Sequence, residues 1–310
     1  MAVLKKSRRY ASDAIAAHVP LPISDTVRDR TPWSPPGQTC TVLPPPSVLD
    51  APTDPSVPLR ITGLTKRYGD ATALAGFDLV VPAGSCFGIV GPNGSGKTTT
   101  LRTIVGLVRP DAGRVEVHGV DAMADVVAAR RLVGAVLDPL ALFERLSARE
   151  LLVTLGELRG IDARTLRSRA EELFAVLDLA GDADRQIAGY SHGMRKKTAL
   201  AAALVHRPRL LLLDEPFEGV DPVSARTMRA LLDRFRAGGG TVVLSSHVMD
   251  LVERMCDHLA VVHAGRVVMA GRTDHLRGER RLEDTFIELI GTLDERPAGA
   301  GDDGALSWLG

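Results

Sequence analysis

Gly91-Pro92-Asn93-Gly94-Ser95-Gly96-Lys97-Thr98 follows the apolar residues Phe87, Ile89 and Val90 and leads into a helix-like run from Thr99 to Val105. This is a G-x-x-x-x-G-K-[ST] loop in the strand, loop, helix setting that phosphate binding requires. The spacing has a mechanical reason. Glycines let successive backbone N–H groups curl around phosphates, and the helix that follows points its partially positive end at them. Lys97 then brings a point charge to the β and γ phosphates, and the Thr98 hydroxyl is placed to ligate Mg2+. A glycine turn that merely reverses the chain is the bland alternative, and the residues downstream weigh against it.

Working outward, the 310 residues are 45% hydrophobic and 25% charged, an ordinary composition for a chain with one large core or two modest ones. Lys plus Arg equals Asp plus Glu at 38 each, so net charge gives no reason to expect a nucleic-acid partner. Cys40, Cys86 and Cys256 are far apart and odd in number, which suits neither a disulfide framework nor a zinc site. A reducing cytoplasm is the expected compartment. No apolar run approaches the roughly 20 residues of a membrane span, so membrane work falls to a partner. The basic cluster Lys5, Lys6, Arg8 and Arg9 has no apolar stretch after it and does not read as a secretory signal. Such a patch without an apolar anchor binds a membrane surface only weakly. Prolines crowd the chain from Pro20 to Pro58, and residues 1–58 are expected to be a Pro-rich, mostly disordered or extended segment.

From Leu59 the pattern changes. Leu59, Ile61 and Leu64, then Leu74, Phe77, Leu79 and Val81, alternate with polar residues on either side of a Gly69-Asp70 turn, predicting two antiparallel strands. Tyr68 between them is either a half-buried turn aromatic or a ring that stacks on a nucleotide base. Short strands are predicted at 113–119 and 133–137, and residues 147–180 carry apolar positions at helical spacing, an all-helical insertion. Tyr190-Ser191-His192-Gly193-Met194 opens a further helix, with Ser191 as N-cap and with N–H groups around Gly193 able to receive an anion. The following Arg195, Lys196 and Lys197 read as a solvated basic face. Leu210–Leu213 is a solid apolar run ending in Asp214-Glu215-Pro216, the pattern of a buried parallel strand that delivers carboxylates at its C-terminal edge. Two adjacent acids there are costly unless they serve a metal and a water. Asp214 is expected to hold Mg2+ through water and Glu215 to orient or deprotonate the attacking water. Gly219-Val220-Asp221-Pro222 turns into a helix, and the strand Thr241–Leu244 ends at Ser245-Ser246-His247, where His247 either caps the next helix or meets the γ phosphate. Strands at 259–262 and 266–270, a helix at 283–290 and a loose tail over 292–310 complete the reading.

In this order the landmarks resemble the nucleotide-binding subunit of ATP-binding-cassette (ABC) transporters over residues 59–291. Tyr68 looks like the base-stacking aromatic, Gly91 to Thr98 like the Walker A loop, and Leu210 to Glu215 like the Walker B strand with its catalytic glutamate. Ser191 and Gly193 fall in the signature motif, Gly219 to Pro222 resemble the D-loop, and His247 the switch histidine. The resemblance implies an α/β fold: a P-loop NTPase core with a mixed sheet, an antiparallel β subdomain and an inserted α-helical subdomain at about 139–190. It implies ATP bound by Tyr68, Gly91, Pro92, Asn93, Gly94, Ser95, Gly96, Lys97, Thr98 and Thr99, and by Ser191 and Gly193 from a neighbouring copy. Mg2+ would be held by Thr98, Asp138 and Asp214, and hydrolysis carried by Glu215, His247 and Lys97. It further implies a homodimer or heterodimer of such subunits, closed by ATP, driving a transmembrane permease on a separate chain from the inner face of the cell membrane. The Tyr-Ser-x-Gly-Met signature and Leu282 to Leu289 look like the ABC-2 exporter branch.

Three positions depart from that pattern. Asp138 stands where the family usually has the Q-loop glutamine and adds negative charge near the metal. His192 replaces the first glycine of the signature, and Phe217 with Glu218 replaces a small polar pair. A soluble ABC ATPase acting in translation or DNA maintenance is one alternative, although no tandem cassette or long coiled coil is present. A nucleotide-dependent switch with weak hydrolysis is another, and Lys97, Asp214, Glu215 and His247 argue against it.

Overall fold

Alternation of buried and outward residues builds β1 (Leu59–Tyr68) and β2 (Ala71–Val81), which pair antiparallel with Leu59 opposite Val81 and Tyr68 opposite Ala71. The structure, a computed structural model, describes residues 54–278 and 281–294. β3 (Cys86–Val90), buried along its whole length, runs through the Gly91–Gly96 loop into α1 (Lys97–Ile104). β4 (Ala112–Val117) and β5 (Val120–Asp121) then complete a four-stranded antiparallel sheet in the order β2-β1-β4-β5. Of the segment expected to be extended or disordered, residues 54–58 form a turn, with Val57 N donating to Asp54 O at 3.1 Å; the remainder of that segment lies outside the described residues.

α2 (Val126–Leu132), capped by Asp125, precedes β6 (Val133–Val136). The inserted helices are α3 (Ala148–Glu157) and α4 (Ala163–Val176). Ser147 and Glu150 close a reciprocal capping box on the first, and Asp162 caps the second. α5 (His192–Leu204) packs against both of them and against β6. β7 (Leu210–Asp214), α6 (Pro222–Ala237), β8 (Thr241–Ser246), α7 (Met249–Met255), β9 (His258–His263), β10 (Arg266–Arg272), α8 (Thr273–Arg277) and α9 (Leu282–Asp294) follow. α9 carries on through residues 292–294, where the sequence suggested a loose tail; the rest of that tail is outside the described residues.

The second sheet has the order β10-β9-β3-β8-β7-β6, with β10 antiparallel to β9 and every other pairing parallel. β7 and β8 are buried from end to end, which is why their sequences are apolar runs without alternation. One core joins the two sheets, including Phe77 of β2, Ile89 of β3, Leu101 of α1 and Leu212 of β7. Register fixes the functional edge. Val90 lies opposite Ser246 and Asp214 opposite Ser245, so β3, β7 and β8 end together. Among the described residues no helix is long and apolar enough to cross a membrane.

Two close approaches escape sequence reading. Cys86 and Cys256, distant in the chain, are buried with their sulfurs 3.7 Å apart, and contact with Cys86 together with burial holds the Cys256 thiol well above its ordinary pKa. Gly134 of β6 lets α5 lie directly on the strand: an added Cβ would overlap the Ala203 carbonyl oxygen and press on Pro208. Because the obstacle is backbone, Gly134→Ala is expected to destabilise the fold by about 1–3 kcal/mol. Urea unfolding checks this, and a midpoint equal to the parent's would contradict the packing account.

Candidate functional site

The aligned ends of β3, β7 and β8 open onto a cleft of about 520 Å3. It is lined by Tyr68, the loop and helix start from Asn93 to Thr99, Asp138, Asp214, Glu215 and His247, all singled out in the sequence. Glu218 lines it too. In the loop, Gly96 adopts φ 110°, a conformation L side chains rarely reach, and a Cβ there would stand 2.6 Å from the Ala73 carbonyl oxygen. Gly91 and Pro92 contribute through their carbonyls: Lys97 Nζ donates to Gly91 O at 2.7 Å and to Pro92 O at 3.1 Å. That pair of bonds folds the loop over the lysine. Lys97 is 7% exposed; burial lowers its pKa, and Glu215 and Asp214 work against that shift.

The two acids at the end of β7 are held by one hydroxyl. Ser245 Oγ donates to Asp214 Oδ1 at 2.5 Å and accepts from Glu215 N at 3.1 Å. Glu215 sits at φ 43°, a left-handed conformation that costs an L residue about 1–2 kcal/mol. Its carbonyl accepts from Lys196 Nζ at 2.5 Å, and its Oε1 lies 2.9 Å from His247 Nδ1. A carboxylate only accepts, so Nδ1 donates, and Nε2 bonds a phosphate oxygen only when it carries a proton too. Two buried oxygens have no partner here: Asp214 Oδ2 and Ser95 Oγ. Buried polar atoms are normally satisfied, so this pair marks where a ligand's charge belongs.

Asp138 is anchored by its carbonyl, which accepts from Arg102 Nη2 of α1 at 2.7 Å. Tyr68 is 51% exposed at the end of β1, with Lys66 Nζ 5.4 Å from its ring centroid. Its ring therefore stands about half exposed at the cleft rim.

Ser191 and Gly193 do not line this cleft. Ser191 caps α5, accepting from Met194 N at 3.3 Å, and Gly193 lies against Asp221 and Ser224 at the start of α6. His192, in place of a glycine, brings Nε2 within 3.3 Å of the Glu218 carbonyl. Phe217, opaque in sequence, has the Arg229 guanidinium 5.5 Å above its ring. The solvated face expected for Arg195 to Lys197 is a misreading. Arg195 pairs with Glu144, while Lys196 and Lys197 are 4% and 5% exposed. Their burial comes from contacts distant in sequence, which a run of basic residues does not announce.

Residues 74–218 match the family model described as ABC transporter. The daunorubicin resistance ATP-binding protein DrrA3 of Streptomyces coeruleorubidus is 40% identical over 221 residues, 71% of this chain and 70% of that protein. The Nod factor export ATP-binding protein I of Burkholderia lata is 35% identical over 242 residues, 76% of this chain and 78% of that one. Among solved structures, an ATP-binding subunit of an ABC transporter superposes with a TM-score of 0.71 at 27% identity, covering 75% of this chain and 99% of that one.

Proposed function

Since this chain belongs to the ABC transporter family, we propose that its cleft binds ATP with Mg2+ and that Glu215 drives hydrolysis to ADP and phosphate, powering export through a separate membrane subunit. The observation that carries this reading is the pair of unpartnered oxygens, Asp214 Oδ2 and Ser95 Oγ, in the same cleft as the buried Lys97 ammonium. Among the described residues no cluster of three or more His, Cys, Asp or Glu could hold a metal ion. Mg2+ fits nonetheless, because it takes few protein ligands and completes its shell with water and substrate phosphate oxygens. Thr98 would ligate it, and Asp214 Oδ2, with Asp138 across the cleft, would hold its waters. When bound, the ion neutralises charge on the β and γ phosphates.

The chain's own residues do the rest. The N–H groups from Asn93 to Thr99 cradle the phosphates, Lys97 reaches the β and γ oxygens, and the open face of Tyr68 stacks on the base. Glu215 takes the proton of the attacking water, and His247, oriented by its bond to Glu215, uses its other nitrogen at the γ phosphate. Ser191 and Gly193 stand outside this cleft, which supports their use by a second subunit: two chains arranged head to tail, each α5 N-terminus closing on the neighbour's ATP.

We place the seat of the membrane subunit beside Asp138. A groove of about 460 Å3 runs between β6 and the inserted helices, walled by Leu107, Leu137, Leu140 and Leu142, with Leu107 64% exposed. A partner seated there touches the segment that carries Asp138, so occupancy of the groove and of the cleft are mechanically linked. The relatives named for daunorubicin resistance and Nod factor export support an exporter; its place at the inner face of the membrane is part of the proposal. Glu215→Gln protein with ATP and Mg2+ is expected to co-purify a polytopic membrane protein from detergent extracts, and Leu107→Asp to reduce that recovery severalfold. Recovery of ribosomes or DNA in its place would overturn the transporter reading.

A further inference from the structure

Lys196 is a lysine 4% exposed inside the molecule, five residues after the Ser191 cap of α5, and its Nζ donates to the Glu215 carbonyl oxygen at 2.5 Å. Burial lowers its pKa, while Glu218, Asp138, Glu215 and Asp214, in that order, favour the charged form. An ammonium in such a place is expensive unless it makes a strong bond, and a charge-assisted bond to a carbonyl in a low-dielectric setting is one. The residue it holds is the one that needs holding. Glu215 is at φ 43°, and Pro216, next in the chain, has no N–H with which to fix the intervening peptide from its other side. The Glu215 amide is held by Ser245 and its carboxylate faces His247; its carbonyl also accepts from Glu218 N at 3.3 Å within the local turn, so the Lys196 bond is the tie from that carbonyl to α5.

Resting on the ATPase reading above, we propose that Lys196 is a positioning residue for hydrolysis: through the Glu215 carbonyl it fixes the backbone geometry that places the carboxylate in the cleft. α5 carries Ser191 at its first turn and Lys196 little more than one turn later, so displacement of the helix by a neighbour's nucleotide is transmitted to the acid of this chain's own cleft.

The test uses the purified full chain with ATP and Mg2+, comparing the parent with Lys196→Met, Lys196→Arg and Glu215→Gln for kcat, KM and thermal midpoint. Methionine fills the space and cannot donate; arginine still donates. Lys196→Met is expected to lose at least about tenfold in kcat with KM within about twofold of the parent, the pattern of a contribution confined to the chemical step. Its thermal midpoint should stay close to the parent's, and Lys196→Arg should recover most of the lost kcat. Lys196→Met turning over at the parental rate, melting far below the parent, or doing as well as Lys196→Arg would each overturn the proposal. Glu215→Gln separates the two levels. If it turns over like the parent, the hydrolytic assignment itself fails; if it is inactive while Lys196→Met is active, only the positioning role fails.

Discussion

Glu215→Gln is expected to lower ATP turnover by about a thousandfold and to leave ATP binding intact, the effect of losing a positioned general base, whose contribution is typically about 10²–10⁴. The side chain keeps its volume, its backbone bonds to Ser245 and Lys196, and an oxygen to face His247. Only the basicity of the carboxylate is removed, so the change belongs in kcat rather than KM. On the proposed reading nucleotide should then stay bound, and subunits closed around ATP should accumulate as a dimer. Phosphate release under saturating ATP measures the first effect and light scattering with ATP and Mg2+ the second. Turnover at the parental rate would place the base elsewhere.

Lys97→Ala acts at an earlier step. Its ammonium is buried at the cleft and paired with two loop carbonyls. Truncating one partner of a buried, hydrogen-bonded charge pair costs about 2–5 kcal/mol, so ATP affinity is expected to fall by roughly two orders of magnitude. The Gly91 and Pro92 carbonyls also lose their donor, which loosens the loop that should cradle the phosphates. Thermal midpoints with and without nucleotide report this directly, because a ligand stabilises by RT ln(1 + [L]/Kd). The parent should gain several degrees with millimolar ATP and the variant almost none. An equal gain in both would remove Lys97 from the binding site.

What could be read from sequence divides along a physical line. Features set by local spacing were legible: the glycine loop with its strand and helix, the apolar run that delivers Asp214 and Glu215, and the alternation that builds β1 and β2. Features set by approach of distant segments were not. Ser245 read only as a residue at a strand end, yet parallel pairing of β7 with β8 puts its hydroxyl between both acids. Lys196 read as one member of a solvated run because nothing near it in sequence indicates that β7 ends at its ammonium. Cys86 and Cys256 were judged by their separation along the chain, and the packing of α7 on β3 removes that separation. In sequence Glu218 is only a departure from a family pattern, whereas in the structure it lines the cleft.

The register of β8 limits how this protein can change over generations. Side chains alternate along a strand, so Ser245 serves the two acids while the Ser246 hydroxyl, on the other side, accepts from Val248 N at 3.0 Å. Insertion or deletion of one residue between Thr241 and Ser245 would exchange those two sides. β8 can therefore vary in residue type at its apolar positions but not in length, and gain or loss of chain must fall upstream, in the exposed turn at Gly238 and Gly239 that feeds it.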